Sequence, residues 1–270
     1  MAFSKFEEWQ ARGSKVDDRR WKAIPVALAA ATDHGVAVCY APGTNQEAVA
    51  EHAFMLMLAL VRKLREQDIE IRQGLWPRRV VGNLRGQTLG IVGLGRIGKA
   101  VAQRAVPFGL KVIATEILPD EAFAAAHNVT FVPLEELLQK SDVVTLHVPK
   151  TALTKNLIRR ETLALMKPSA VLLNTSRGGV VHEKDLHDAL VEKRIAGAGL
   201  DVFEIEPLRA SPLCALDNIV LTAHTAGVDQ QSRQDMARLP ATAIVKLLAG
   251  EWPADWVVNP SVKDQFFTRG

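Results

Sequence analysis

The sequence predicts an α/β protein built on a doubly wound parallel sheet. Three observations carry this. From Thr88 onward, short aliphatic runs alternate with stretches of helical character. The runs are apolar throughout, as strands are when helices cover both faces of a sheet. The first run, "TLGIV", leads into "GLGRIG", with glycines at Gly93, Gly95 and Gly98, and an amphipathic segment follows at once.

In chain order, residues 1 to 22 are polar and mixed in charge, which suggests a short helix or a frayed arm. "VAVCYAPG" reads as a buried strand, Val36 to Tyr40, stopped by Pro42 and Gly43. Thr44 and Asn45 offer caps for one long helix from about Gln46 to Gln73, ending at Gly74. Its apolar residues, including Phe54, Met55, Leu56, Leu58 and Leu60, exceed what one face of a surface helix needs. A bridge between domains or a two-fold homodimer face is expected there. The alternation then runs "TLGIV", helix Arg96 to Phe108, "KVIAT", helix Pro119 to His127, "VTFV", helix Leu134 to Lys140 and "DVVTLHV". It continues with a helix near Arg160 to Met166, "AVLLNTS", a helix from Glu183 to Lys193, "GAGLDV" and "NIVLT". No internal repeat or low-complexity tract interrupts it.

Composition narrows the function. The 270 residues are 48% hydrophobic and 23% charged, with a net charge of +3 and no long basic block. This suits one or two globular domains and gives no support to nucleic-acid or membrane-surface binding. Cys39 and Cys214 read as reduced thiols of a cytoplasmic protein. "IPVALAAA" resembles a short signal core, but the charges of both signs before it fit export poorly. "AFMLMLALV" is far short of the roughly 20 residues that span a bilayer. The histidines at 34, 52, 127, 147, 182 and 187 show no paired ligand spacing, so no metal is expected.

The glycine turn sits where a dinucleotide pyrophosphate would. Gly93 permits the sharp turn, Gly95 lets the backbone approach the phosphates, and Gly98 lets the helix pack on the strand. The N–H groups of Arg96 and Ile97 open the helix toward the anion. Glu116 follows "KVIAT", 18 positions after Gly98, near the spacing of about 20 for an acid that accepts from the adenosine ribose. A carboxylate there favours NAD over NADP. The alternative is a structural corner with a surface glutamate.

Three later strands end in ionisable groups, at the rim where such sheets bind ligands. Arg177 follows one, Asp201, Glu204 and Glu206 follow the next, and His224 follows a third. Arginine can grip a carboxylate with two parallel hydrogen bonds. Histidine exchanges protons near neutral pH, and a carboxylate beside it favours its protonated form. The set suits hydride transfer between NAD and a 2-hydroxy or 2-keto acid. Taken singly, each residue could be a surface ion-pair partner, a solvated turn residue or a strand cap.

With these residues in view, the chain resembles the D-2-hydroxyacid dehydrogenase family, in particular its phosphoglycerate dehydrogenase-like and glyoxylate or hydroxypyruvate reductase-like members. The resemblance rests on "GTNQEAVAEHAFMLMLAL", "LRGQTLGIVGLGRIGKAVA", "DVVTLHVPKTALTKNLI", "MKPSAVLLNTSRGGVVHEKDLHDAL", "GAGLDVFEIEPL", "NIVLTAHTAG" and "VVNPSV", in the family's order. It implies that Arg177 binds the substrate carboxylate, His224 is the acid/base and Glu206 is its partner. It implies cofactor contacts from Asp201, from His147, Val148 and Pro149, from Thr154, from Thr175 to Arg177 with Ser176 between, and from His224 and Gly227. Formate-oxidising relatives carry Gln at the position of Glu206, so Glu206 points to a hydroxy acid.

The resemblance further implies a doubly wound NAD(P)-binding Rossmann domain with a truncated flavodoxin-like substrate lobe. The expected division is residues 1–44 as a lobe remnant, 45–238 as the NAD domain and 239–270 returning to the lobe. Ala223 stands where relatives usually have Pro, and Asp229 and Pro240 fall in a usually continuous helix, which Pro240 should start or kink. Residues 1 to 22 match no earlier strand or glycine loop of the substrate lobe. The expectation is therefore an NAD-dependent oxidoreductase, a homodimer, with measurable NADH binding and reduced turnover. The alternative is a non-catalytic, NAD-responsive interaction module.

Overall fold

The structure, a computed structural model, describes residues 27–268. The expectation of a helix or arm over residues 1 to 22 lies outside the described residues. The chain divides into two compact units, residues 43–233 and residues 1–42 with 234–270.

The larger unit opens with helices α1 (Gln46–Val61) and α2 (Leu64–Arg72). Seven strands then alternate with helices: β1 (Thr88–Val92), α3 (Arg96–Ala105), β2 (Lys111–Thr115), α4 (Glu121–Ala126), β3 (Val129–Phe131), α5 (Leu134–Lys140) and β4 (Val143–Leu146). There follow α6 (Arg160–Leu163), β5 (Val171–Asn174), α7 (Glu183–Val191), β6 (Gly197–Leu200) and β7 (Ile219–Leu221). Among the described residues these strands form one sheet in the order β3-β2-β1-β4-β5-β6-β7, every neighbouring pair parallel. The order reverses direction at β1 and β4, whose register pairs Leu89 with Val143 and Val92 with Leu146.

The unbroken apolar strands are explained by two cores. Leu89, Ile91, Val143, Val171 and Leu173 face one side, under Phe54, Leu56, Met57, Val101 and Ala105 from α1 and α3. Val92, Val144, Leu146 and Leu172 face the other, under Leu137, Leu138, Leu186 and Leu190 from α5 and α7. The central strands alternate between two buried faces, so apolar side chains dominate both. The strands are shorter than the apolar runs suggest: "DVVTLHV" yields Val143–Leu146 and "AVLLNTS" yields Val171–Asn174. The remaining residues leave the ladder to build the rim.

One expectation is corrected. The single helix over Gln46 to Gln73 is two helices. Lys63 takes a left-handed conformation at φ 51°. The carbonyl of Val61 accepts from Gly82 N at 3.1 Å and that of Arg62 from Gln67 Nε2 at 2.5 Å. Those acceptors are spent on a returning strand of chain and a side chain, so the helical ladder stops. Moreover, Phe54 and Leu56 are buried, and Leu58 and Leu60 pack partly against the same core. Their apolar character serves the sheet, while Met55 between them is exposed.

In the smaller unit, the expected strand Val36 to Tyr40 is only an isolated antiparallel bridge between Cys39 and Val257. Asn259 supplies what the ladder lacks. Its Oδ1 accepts from Val38 N at 2.8 Å, and its Nδ2 donates to Thr32 Oγ1 and Val36 O, each at 3.0 Å. Helix α8 (Gln230–Leu248) carries Pro240 in its interior, so it does not start there. It starts after Asp229, whose Oδ1 accepts from Ser232 N at 2.6 Å as a cap does. Helix α9 (Lys263–Thr268) ends the described chain.

Candidate active site

The glycine turn leaves β1 at Gly93, with φ at 93°. A Cβ there would stand 2.8 Å from His147 O, and one at Gly98 would stand 2.2 Å from Gly93 O. Both positions accept only glycine because backbone passes against backbone. At Gly95 a Cβ would meet nothing within 4 Å. That open face lies at the N-terminus of α3, where Gly95 is the cap residue and provides no side-chain hydrogen bond. The turn is thus a cradle with free N–H groups and a partial positive charge, which fits a pyrophosphate.

Glu116 braces the cradle. Its Oε2 accepts from Leu94 N at 2.7 Å and its Oε1 from Ile117 N at 2.7 Å. Oε1 also accepts from Leu118 N at 3.5 Å, and Oε2 keeps a second lone pair for a ribose hydroxyl. Across the switch point, His147 is partly buried, and its Nε2 lies 3.0 Å from Thr145 Oγ1. Burial lowers its pKa to about 3, so the ring is neutral. His147 Nδ1 and Thr175 Oγ1 are buried without a hydrogen-bond partner among the described residues. Thr154 does not point at the cradle through its hydroxyl, which donates to Pro149 O at 2.5 Å and folds the turn after Pro149.

The catalytic candidates come from three strand ends. At the end of β5, Asn174 is buried and shapes the next loop: its Oδ1 accepts from Ser176 N at 3.0 Å and Ser176 Oγ at 2.7 Å. Its Nδ2 donates to Arg177 O at 3.2 Å. Arg177 is exposed and its Nη1 donates to Ser176 O at 2.6 Å. The following Gly178 presses on the loop after β6, where an added Cβ would stand 1.6 Å from Phe203 O. That second loop carries Glu206, whose Oε1 accepts from Phe203 N at 3.0 Å. Glu206 Oε2 lies 2.7 Å from His224 Nδ1. One chain of contacts therefore joins Arg177, Glu206 and His224. Their side chains remain reachable, with His224 49% and Glu206 33% exposed.

A carboxylate only accepts, so His224 Nδ1 carries the hydrogen and Nε2 is left for a substrate. The residue adopts φ 54°, a left-handed conformation that costs a non-glycine residue about 1 kcal/mol or more. Asp201 holds it there. Asp201 O accepts from His224 N at 2.8 Å, Oδ1 from Thr225 N at 2.9 Å, and Oδ2 from Ala226 N at 2.9 Å. Asp201 is fully buried, so its main visible work is the shape of this turn.

Asn174, Thr222, Glu183 and the pairing of Glu183 with Glu204 escaped the sequence reading. Glu183 N donates to Glu204 Oε1 at 2.9 Å while Glu204 N donates to Glu183 Oε1, which clamps the Glu206 loop to α7. Burial, with Glu204 and Glu206 nearby, raises the pKa of Glu183. The signal for Asn174 was a polar residue ending an aliphatic strand; the other contacts join residues far apart in sequence.

A doubly wound sheet with this cradle and these rim residues defines an NAD-binding oxidoreductase. The model of the D-isomer specific 2-hydroxyacid dehydrogenase NAD-binding domain matches residues 54–226. The glyoxylate reductase of Korarchaeum cryptofilum is 44% identical over 240 residues, covering 86% of this chain and 72% of that protein. The D-3-phosphoglycerate dehydrogenase of Methanocaldococcus jannaschii is 38% identical, covering 89% of this chain and 46% of that one. The solved structure of the D-lactate dehydrogenase from Aquifex aeolicus, complexed with NAD and lactic acid, superposes with a TM-score of 0.79 at 30% identity. It covers 86% of this chain and 76% of that one.

The chain belongs to the D-isomer-specific 2-hydroxyacid dehydrogenase family. It is an NAD-dependent oxidoreductase of that class, as its sequence implies, and the non-catalytic alternative finds no support.

Proposed function

We propose that this chain reduces a small 2-keto acid to its D-2-hydroxy acid, with His224 as proton donor, Glu206 as its partner and Arg177 as the carboxylate clamp. The observation that carries this reading is the 2.7 Å contact between His224 Nδ1 and Glu206 Oε2, beside the loop of Arg177. Bound NADH supplies the hydride. As the carbonyl oxygen gains charge, protonated His224 delivers the hydrogen on Nε2, and Glu206 stabilises the imidazolium until then. In the reverse direction, neutral His224 accepts the alcohol proton at the same nitrogen. Arg177 orients the acid group and draws electron density from the carbonyl. An NADH-oxidation screen across glyoxylate, hydroxypyruvate, pyruvate and phosphohydroxypyruvate tests this reading; no turnover with any of them would refute it.

In the cradle, Gly93 to Gly98 would hold the pyrophosphate, Glu116 the adenosine ribose, and His147 to Pro149 with Thr175 and Gly227 the remaining surface. NAD(H) is expected to bind at least about tenfold more tightly than NADP(H), since a phosphate beside the Glu116 carboxylate costs on the order of 1.4 kcal/mol. Calorimetry giving equal affinities would remove Glu116 from the ribose site.

The expected partner beyond substrate is a second copy of the chain. The supporting surface is the segment after α2, where Trp76 is 80% and Val80 98% exposed. Replacing both with Ser is expected to turn a dimer into a monomer in sedimentation at micromolar concentration; a monomeric wild type would refute the assignment. Among the described residues no helix is long and apolar enough to cross a membrane. With its two free thiols, the chain is assigned to the cytoplasm. Fractionation of expressing cells tests that assignment, and recovery outside the cytoplasm would overturn it.

A further inference from the structure

Helix α1 meets the turn of His224 from behind. Asn45, its cap residue, abuts Gly227, where an added Cβ would stand 2.7 Å from Asn45 Nδ2. Further along α1, His52 Nε2 lies 2.9 Å from Thr222 Oγ1, and Thr222 Oγ1 lies 2.6 Å from Asp201 Oδ1.

Counting hydrogens sets the direction of this chain. The Asp201 carboxylate accepts from the backbone N–H of Thr225 and Ala226, so it acts as acceptor throughout. Thr222 has one hydroxyl hydrogen and spends it on Asp201. Its oxygen must then accept from His52, which carries its hydrogen on Nε2. The His52 side chain is only 13% exposed. Burial lowers its pKa, against the pull of Asp201 at 3.6 Å, so a neutral imidazole donates here.

We infer that His52 is a positioning residue of the reaction: through Thr222 and Asp201 it holds the turn that presents His224. It reaches His224 only through Thr222 and Asp201. Its effect arises because the Asp201 carboxylate anchors the N–H groups of Thr225 and Ala226, the two residues after His224, while the Asp201 carbonyl holds the N–H of His224, which sits at φ 54°. A carboxylate free to rotate would loosen the turn just after His224 and move its Nε2. A displacement of about 1 Å at a reacting group can cost up to 10²-fold in rate. A histidine that merely filled space would be replaced without loss by an apolar side chain of similar size.

The inference rests on the acid/base role proposed for His224, and the test separates the two. The full chain is compared with His52→Phe, His52→Leu, His52→Gln, Thr222→Val and the double variant His52→Phe/Thr222→Val. Gln keeps an N–H near the position of Nε2. The expected result is a roughly tenfold fall in kcat for His52→Phe and His52→Leu, with the Kd of NADH within about twofold. His52→Gln should recover most of the loss. The double variant should be no worse than Thr222→Val alone, because both changes break the same chain.

Unchanged kcat in His52→Phe, or losses that multiply in the double variant, would overturn the inference. If the wild type turns over no keto acid, the proposed function fails, and ring ¹⁵N spectra still decide this point. His52 should then show its hydrogen on Nε2, and the His224 signals should move in His52→Phe but not in His52→Gln. Identical His224 signals in all three proteins would overturn it.

Discussion

Replacing His224 by Gln is expected to lower kcat by roughly 10² to 10⁴, the usual share of acid–base catalysis. Glutamine can still hydrogen-bond Glu206, so the rim keeps its shape, but it has no proton to deliver near neutral pH. The wild-type imidazole is prepared for that task by its surroundings. Nδ1 is committed to Glu206 at 2.7 Å, which leaves one nitrogen for one substrate atom. NADH affinity should change little, because the cradle lies at the ends of β1 and β2 while His224 follows β7. Steady-state rates and fluorescence titration with NADH separate these effects. A variant within about threefold of wild-type kcat would remove His224 from proton transfer.

Gly178→Ala is expected to damage both stability and activity. The added methyl would lie 1.6 Å from Phe203 O and 2.2 Å from Phe203 C, both backbone atoms. No side chain can rotate away, so the loop of Arg177 and the loop of Glu206 must separate. Overpacking of this kind costs about 1–3 kcal/mol or more. The separation moves Arg177, the proposed carboxylate clamp, relative to His224, the proposed proton donor, and a shift of about 1 Å is enough to reduce kcat/KM roughly 10²-fold. Urea unfolding and kcat/KM measured on the same preparation test this. Wild-type values of both would mean that the two loops are not in register for catalysis.

These two residues differ in how legible they were. His224 stood out because a histidine at a strand end, after an arginine and a carboxylate at two others, has few roles on the ligand rim of a dinucleotide fold. Gly178 carries no comparable signal in the sequence. That its missing side chain makes room for Phe203 depends on two loops whose meeting no local pattern announces. The same holds for α1. Its apolar residues suggested an outer interface, yet Phe54, Leu56 and Met57 complete a core that includes Leu89 and Ile91 of β1 and Val171 and Leu173 of β5, the last pair more than a hundred residues later. Hydrophobicity says that a surface is buried and does not say by what.

Helix ends show the same limit at short range. The stop at Gly74 was anticipated, but the break at Lys63 arises because Gly82 returns to take the carbonyl of Val61. Helix α8 runs through Pro240, although local rules place a start or a kink there.

What the sequence determined by itself was the alternation of elements, the glycine cradle with Glu116, and the three residues of the rim. Each follows from patterns within a dozen or so neighbouring positions: strand periodicity, a turn that only glycine permits, and polar groups where strands end. What the tertiary structure alone decided was how those groups are held. Asn174 shapes the loop of Arg177, Gly178 locks it to the loop of Glu206, and Asp201, Thr222 and His52 keep His224 in a strained conformation. The physical reason is that a hydrogen bond or a close approach between distant segments depends on distance in space. A parallel sheet brings strand ends together only after every intervening helix has packed.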